Sequence, residues 1–110
     1  MNEIEISVIL YQEDSHWIAQ GLEHDITAQA PSLPELSERF AMKVLAEAAI
    51  SMELGREPLQ GIDPAPARFW RMFDDAKMDV TTEQPPLTII GKANPPRFTP
   101  RLKIGQLAAA

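Results

Sequence analysis

At 110 residues, with 45% hydrophobic and 24% charged side chains, the chain is sized for one small domain with its own core and is too apolar for wholesale disorder. It contains no cysteine, which excludes a disulfide framework, a thiolate nucleophile and a cysteine-based zinc site. The net charge of −6 is unevenly spread: residues 1–66 hold twelve acids against three bases, net −9, whereas residues 67–110 hold four against seven, net +3, so the first half repels phosphate backbones and attracts cationic partners.

In chain order, Ile4, Ile6, Val8 and Leu10 alternate with Glu5 and Ser7 at the strand period, which predicts a strand over 4–11 with one buried face and one wet face. A polar connection of hairpin length, 12–16, leads to a second strand over 17–23, and a tight link at His24 and Asp25 leads to a third over 26–30. Connections this short permit only antiparallel pairing, so the three strands form a meander. Gly21, inside the second strand, marks a bulge or a close backbone approach.

Pro31 ends the third strand, and Ser32 followed by Glu35 reads as a capping box with Pro34 tolerated in the first turn. The helix runs to Leu54, with Leu33, Leu36, Phe40, Val44, Ala48 and Met52 on one stripe, and Gly55 supplies a left-handed stop. Beyond a loop rich in proline, a second helix is predicted over 65–77, capped by Asp63. It carries Phe69, Trp70 and Phe73, a cluster that serves either as core against the sheet or long helix, or as an exposed anchor for a partner or a second copy.

From residue 81 onward, prolines bracket two apolar runs, Leu87-Thr88-Ile89-Ile90 and Leu102-Lys103-Ile104. Each suits an edge strand on its own sheet or on a neighbouring subunit, with Ile89 and Ile90 as candidate anchors. The chain therefore divides into an α+β unit over 1–80, a three-stranded antiparallel meander packed on one long helix with a short second helix, and a proline-rich extension over 81–110, partly extended or disordered. The bases Lys92, Arg97, Arg101 and Lys103 make that extension an arm for an acidic surface, such as the sheet of another copy.

The order of three strands and a long helix, together with the run WIAQGLEHDITAQAPSLPEL preceded by Tyr11, Gln12 and Glu13, resembles the HicB-like antitoxin family over about residues 4–54. That resemblance implies a small sheet-and-helix fold related to ribonuclease H but lacking its active site. It also implies a protein that neutralises a small basic ribonuclease toxin by covering its catalytic surface, often as a homo-oligomer. The family's serine cap and one glutamate recur as Ser32 and Glu35, whereas its glycine and the acidic residue beside it do not. The proline-rich end matches neither of the DNA-binding modules common in the family, so no direct nucleic-acid binding is expected. Candidate contacts for a basic toxin are Glu13, Asp14, Glu23 and Asp25, with Trp17 as an apolar anchor.

A metal-dependent nuclease is the alternative from a different class, drawing on Glu13, Asp14, His16, Glu23, His24 and Asp25. The spacing argues against it, because Glu23 and Asp25 share a face only if extended backbone continues through the apparent turn, and neither a nucleophile elbow nor a glycine-rich phosphate loop is present. The expectation is thus a protein without catalytic residues, cofactor or metal, with both histidines exposed. No apolar run approaches the roughly 20 residues of a membrane span, and Glu3 and Glu5 give the amino terminus no positive start, so a cytosolic protein without membrane contact is expected.

Overall fold

The computed structural model describes residues 3–76, 78–80, 87–88 and 97–105. The chain is α+β, with strands β1 (Glu3–Glu13), β2 (His16–Gly21) and β3 (Thr27–Ala30), helices α1 (Leu33–Glu53) and α2 (Ala67–Asp75), then strands β4 (Met78–Val80), β5 (Leu87–Thr88) and β6 (Arg97–Ile104). β1, β2 and β3 pair antiparallel as a meander, in register Val8 with Gly21 and Trp17 with Ala30.

The sheet does not stop at three strands. Its order is β3-β2-β1-β6-β4, with β5 also on β6, and β6 runs parallel to β1 from Glu3 opposite Arg97 to Leu10 opposite Ile104. The expected edge strand is thus an inner one in the chain's own sheet, and the expected arm is tied down at home: Arg101 pairs with Glu5 at 3.7 Å. Pro100 misleads because proline inside a run argues against a central strand. The Gly105 amide donates to the Leu10 carbonyl at 2.8 Å, so odd residues of β6 face β1 and even ones face away. Pro100 therefore turns its missing donor toward the β4 and β5 side, where the registers at Leu102 and Phe98 leave its position unmatched among the described residues. Ile89 and Ile90 lie outside the described residues.

Alternation along β1 sorts the core into two layers. Ile6, Val8 and Leu10 point to one face and meet Leu36, Phe40, Val44 and Ala48 of α1, joined by Phe98 of β6 at 0% exposure. The opposite face, expected to be wet, is covered in part: Ile9 and Leu22 pack with Phe69 and Phe73 of α2, and Tyr11 stacks on Phe69 with ring centroids 6.2 Å apart. Past the reach of α2, Glu5 and Arg101 keep that face polar and exposed.

Helix α1 begins and ends as its sequence dictates. Ser32 is the N-cap, its hydroxyl accepting the Glu35 amide at 3.4 Å, with a proline in the first turn. At the other end Gly55 takes φ 76°, and the amides of Gly55 and Arg56 return to Met52 and Ser51, the Schellman closure that a left-handed glycine permits. Helix α2 is shorter than expected and its N-cap is Pro66, without a side-chain cap. Asp63 instead gives its backbone carbonyl to the Asp25 amide at 2.7 Å. No helix among the described residues is long and apolar enough to cross a membrane.

Gly21 is a close-approach glycine. Its amide donates to the Ile26 carbonyl at 2.8 Å, and a Cβ added there meets the His24 carbonyl at 2.9 Å and the Phe40 ring at 3.4 Å. Because one obstacle is backbone, relief requires the turn itself to shift, and Gly21→Ala is expected to lower stability by about 1–3 kcal/mol in chemical denaturation.

Candidate partner-binding surface

The five expected contact residues fall at two opposite ends of β2. Glu13 and Asp14 occupy the β1–β2 turn, where both are exposed and Asp14 adopts φ 55°. Glu23 and Asp25 lie past the other end of the strand, some six residues or about 20 Å away. Trp17 starts β2 beside the first pair and is half-buried against the α1-side core.

The far pair is committed to holding the fold. Odd residues of β1 face β2, but β2 ends at Gly21, which leaves Ser7 without a strand partner on that side. The Leu22 amide donates to the Ser7 carbonyl at 2.9 Å, and the Ser7 amide donates to the Glu23 carboxylate at 2.7 Å. Ser7 is only 6% exposed, so this carboxylate stands in for the absent strand. Asp25 accepts from the side-chain amide of buried Gln20 at 2.7 Å, and that same nitrogen donates to the Gly21 carbonyl. His24, expected to be exposed, is half-buried with Nδ1 3.2 Å from the Ile62 carbonyl. Together with the Asp25 and Ala65 amides, which donate to Asp63 and Leu22, these bonds stitch residues 22–25 to residues 62–65.

At the near end the acids face water. Glu13, Asp14, Ser15 and His16 are all exposed at the hairpin tip. The third strand also ends there, because Ala30 is registered with Trp17, so α1 starts on the same side and brings exposed Glu35 and Glu38 to it. Glu35 is ion-paired with Arg39 at 3.8 Å, so Glu13, Asp14 and Glu38 leave this end net negative, a field in high dielectric that acts on encounter more than on final affinity. The field reaches Tyr11, whose phenol is held above its ordinary value of 10.0 chiefly by burial and next by the Glu13 carboxylate, with Arg68 pulling it down.

The aromatic cluster of α2 is divided by its packing. Phe69 and Phe73 are 8% and 6% exposed, while Trp70 is half-buried with its indole N–H on the Ala65 carbonyl at 3.2 Å. Arg68 lies 4.6 Å over the Phe69 ring, and Lys103 lies 4.4 Å over Phe73. Among the described residues no group of three or more histidine and carboxylate side chains is placed to hold a metal ion.

Sequence reasoning passed over two further cations. Lys43 Nζ donates to the Thr27 carbonyl at 2.7 Å, and Arg39 donates to the Gln29 carbonyl at 2.9 Å. Those carbonyls lie on the outer edge of β3, the end strand of the sheet order. Four helical residues rise about 6 Å and two strand residues about 6.6 Å, so a helix antiparallel to an edge strand matches basic groups four apart to carbonyls two apart. That spacing was the available signal. No protein-family model matches the chain, and no curated protein or solved structure matches it either.

Two outcomes separate the acids. Glu23→Ala, which leaves the Ser7 amide buried and without its acceptor, is expected to cost about 1–3 kcal/mol in chemical denaturation, whereas Glu13→Ala leaves the unfolding midpoint unchanged. Glu13→Gln lowers the titration midpoint of the single tyrosine in near-ultraviolet absorbance, though not to its ordinary value, since burial persists. A folded-state value raised above the unfolded one makes the contribution of Tyr11 to stability complete below pH 10.0 and lost as pH rises through the folded value.

Proposed function

We propose that this chain is a non-catalytic protein-binding domain of the HicB-like antitoxin kind, which neutralises a small basic ribonuclease by covering its active surface. The observation that carries this reading is the exposed acidic hairpin tip, where Glu13 closes β1 and Asp14 opens the two-residue turn, at the end of the sheet from which α1 also starts. The β1–β2 pairing extends to Glu13 opposite His16 and so holds these charges at the strand ends, and complementary potential speeds encounter with a basic partner while disfavouring acidic ones. Half-buried Trp17 at the base of the hairpin supplies an apolar contact beside the charges. The meander followed by a long capped helix supports the resemblance drawn from the sequence, and the cytosol suits a partner that acts on RNA.

Glu23 and Asp25 serve this role indirectly, by fixing the turn at the opposite end. The competing reading, an interaction domain that binds only copies of itself, draws on the apolar side chains exposed along α1. Co-expression with the product of an adjacent reading frame that encodes a small basic protein tests the antitoxin reading. Co-purification, loss of the partner's RNA cleavage, and at least ~10-fold weaker binding by the double variant Glu13→Lys with Asp14→Lys are expected, with the difference shrinking at high salt. RNA or DNA cleavage by this chain alone, abolished by Glu23→Gln with the fold intact, would overturn it.

A further inference from the structure

Helix α1 keeps an apolar patch on the side turned away from the sheet. Leu36, Phe40, Val44 and Ala48 are buried, whereas Met42 and Ile50 are 65% and 53% exposed, with exposed Ala46 and half-buried Ala49 between them. Spacings of four, seven and eight residues from Met42 set these four side chains on one face, the pattern by which one helix seats on another. At its upstream end the patch continues into a shallow groove of about 660 Å³ lined by Glu35, Glu38, Arg39, Met42, Lys43 and Ala46.

The charges around the patch are unevenly matched. The helix carries four acids, Glu35, Glu38, Glu47 and Glu53, against two bases. Both bases are engaged away from the patch: Arg39 with Glu35 at 3.8 Å and with the Gln29 carbonyl, and Lys43 with the Thr27 carbonyl at the β3 edge. Glu38 and Glu53 are exposed on the patch side, and neither is in an ion pair among the described residues. Fifteen residues apart, they stand about 22 Å from each other along the axis, one beyond each end of the patch.

We infer that this face docks a basic amphipathic helix of a partner protein, with a lysine or arginine at each end meeting Glu38 and Glu53. Large apolar side chains of that helix seat on Ala46 and Ala49, where small residues leave room, and the exposed thioether of Met42 adapts to their shape. Contact with both acids requires a shallow crossing, the class near 20° in which helices stay alongside over several turns.

The two acids also select against other occupants. Glu38 and Glu53 lie equally far from the point midway between Leu45 and Ala46. A second copy paired antiparallel about that point sets Glu38 against Glu53 at both ends, and one paired parallel in register sets each acid on itself. Nucleic acid and anionic lipid surfaces are repelled by the same carboxylates. The inference goes beyond the antitoxin reading, because the face reaches to Glu53, far from the hairpin tip, and it does not require the partner to be a nuclease.

Fluorescence anisotropy with two labelled helical peptides and the full chain tests it. Each peptide has about 18 residues, enough to span both acids, with leucines along one face of its middle; one ends in lysines and the other in glutamates. The lysine peptide is expected to bind at least ~10-fold more tightly than the glutamate peptide, by a margin that shrinks at high salt. Met42→Glu with Ala46→Glu weakens its binding by ~10-fold or more at unchanged circular dichroism, and Glu38→Lys with Glu53→Lys inverts the preference between the peptides. Glu13→Lys with Asp14→Lys, at the hairpin tip, leaves the affinity within about 2-fold, which separates this face from the surface of the antitoxin reading. No binding of the lysine peptide, equal binding of both peptides, or binding that survives Met42→Glu with Ala46→Glu overturns the inference. So does a dimer in light scattering that this same double variant dissociates.

Discussion

Strand β1 is hydrogen-bonded along both edges, and the rest of the domain is placed by that double pairing. Its even residues bond to β6 and its odd residues to β2, so the strand from the start of the chain and the strand at residues 97–104 are neighbours. Buried backbone amides and carbonyls cannot be left without partners. Where β2 runs out beside Ser7, the duty passes to the Leu22 amide and the Glu23 carboxylate, and the loop at 62–65 is drawn in to secure those residues. Helix α1 then roofs the even face, and α2 roofs the part of the odd face that carries Ile9 and Tyr11.

This arrangement assigns the acids different work. Past the end of β2, the Glu23 carboxylate accepts the Ser7 backbone amide and is a structural element, still charged but held to the fold. On the hairpin tip, the same side-chain chemistry faces solvent with no comparable bond. Surface charge in a small acidic domain is therefore only partly a docking signal, and it divides along the length of a single strand. The cations divide likewise: Lys43 and Arg39 close an edge, Arg101 joins an ion pair with Glu5, and Lys103 lies over Phe73.

The elements set by local rules were legible in the residues themselves. Alternation in 4–10, the serine cap at 32 and the glycine stop at 55 each rest on chemistry within one or two turns of backbone, and each reappears in the structure. What escaped depends on contacts distant in sequence. Pro100 signals an edge because the gap between the β4 and β5 registers is invisible from the chain, and the cover over Ile9 and Tyr11 depends on a helix sixty residues away. Leu59 is the sharpest instance: a leucine at φ 66° with 0% exposure, its backbone held in a region leucine rarely adopts because its side chain is locked in the core. The candidate surface was half legible for the same reason. Acid content is written in composition, but whether an acid meets an amide or water is decided by where strands end.

The adjacency of β6 to β1 has a bearing on how the protein comes into being. A ribosome delivers β1 well before β6, the neighbour that seals its second edge and emerges roughly ninety residues later, so until then the meander and α1 exist as a half-built sheet with Phe98 missing from its interior. Closure is a late, long-range event, and until it happens the nascent chain offers a strand edge to chaperones and to its own siblings alike.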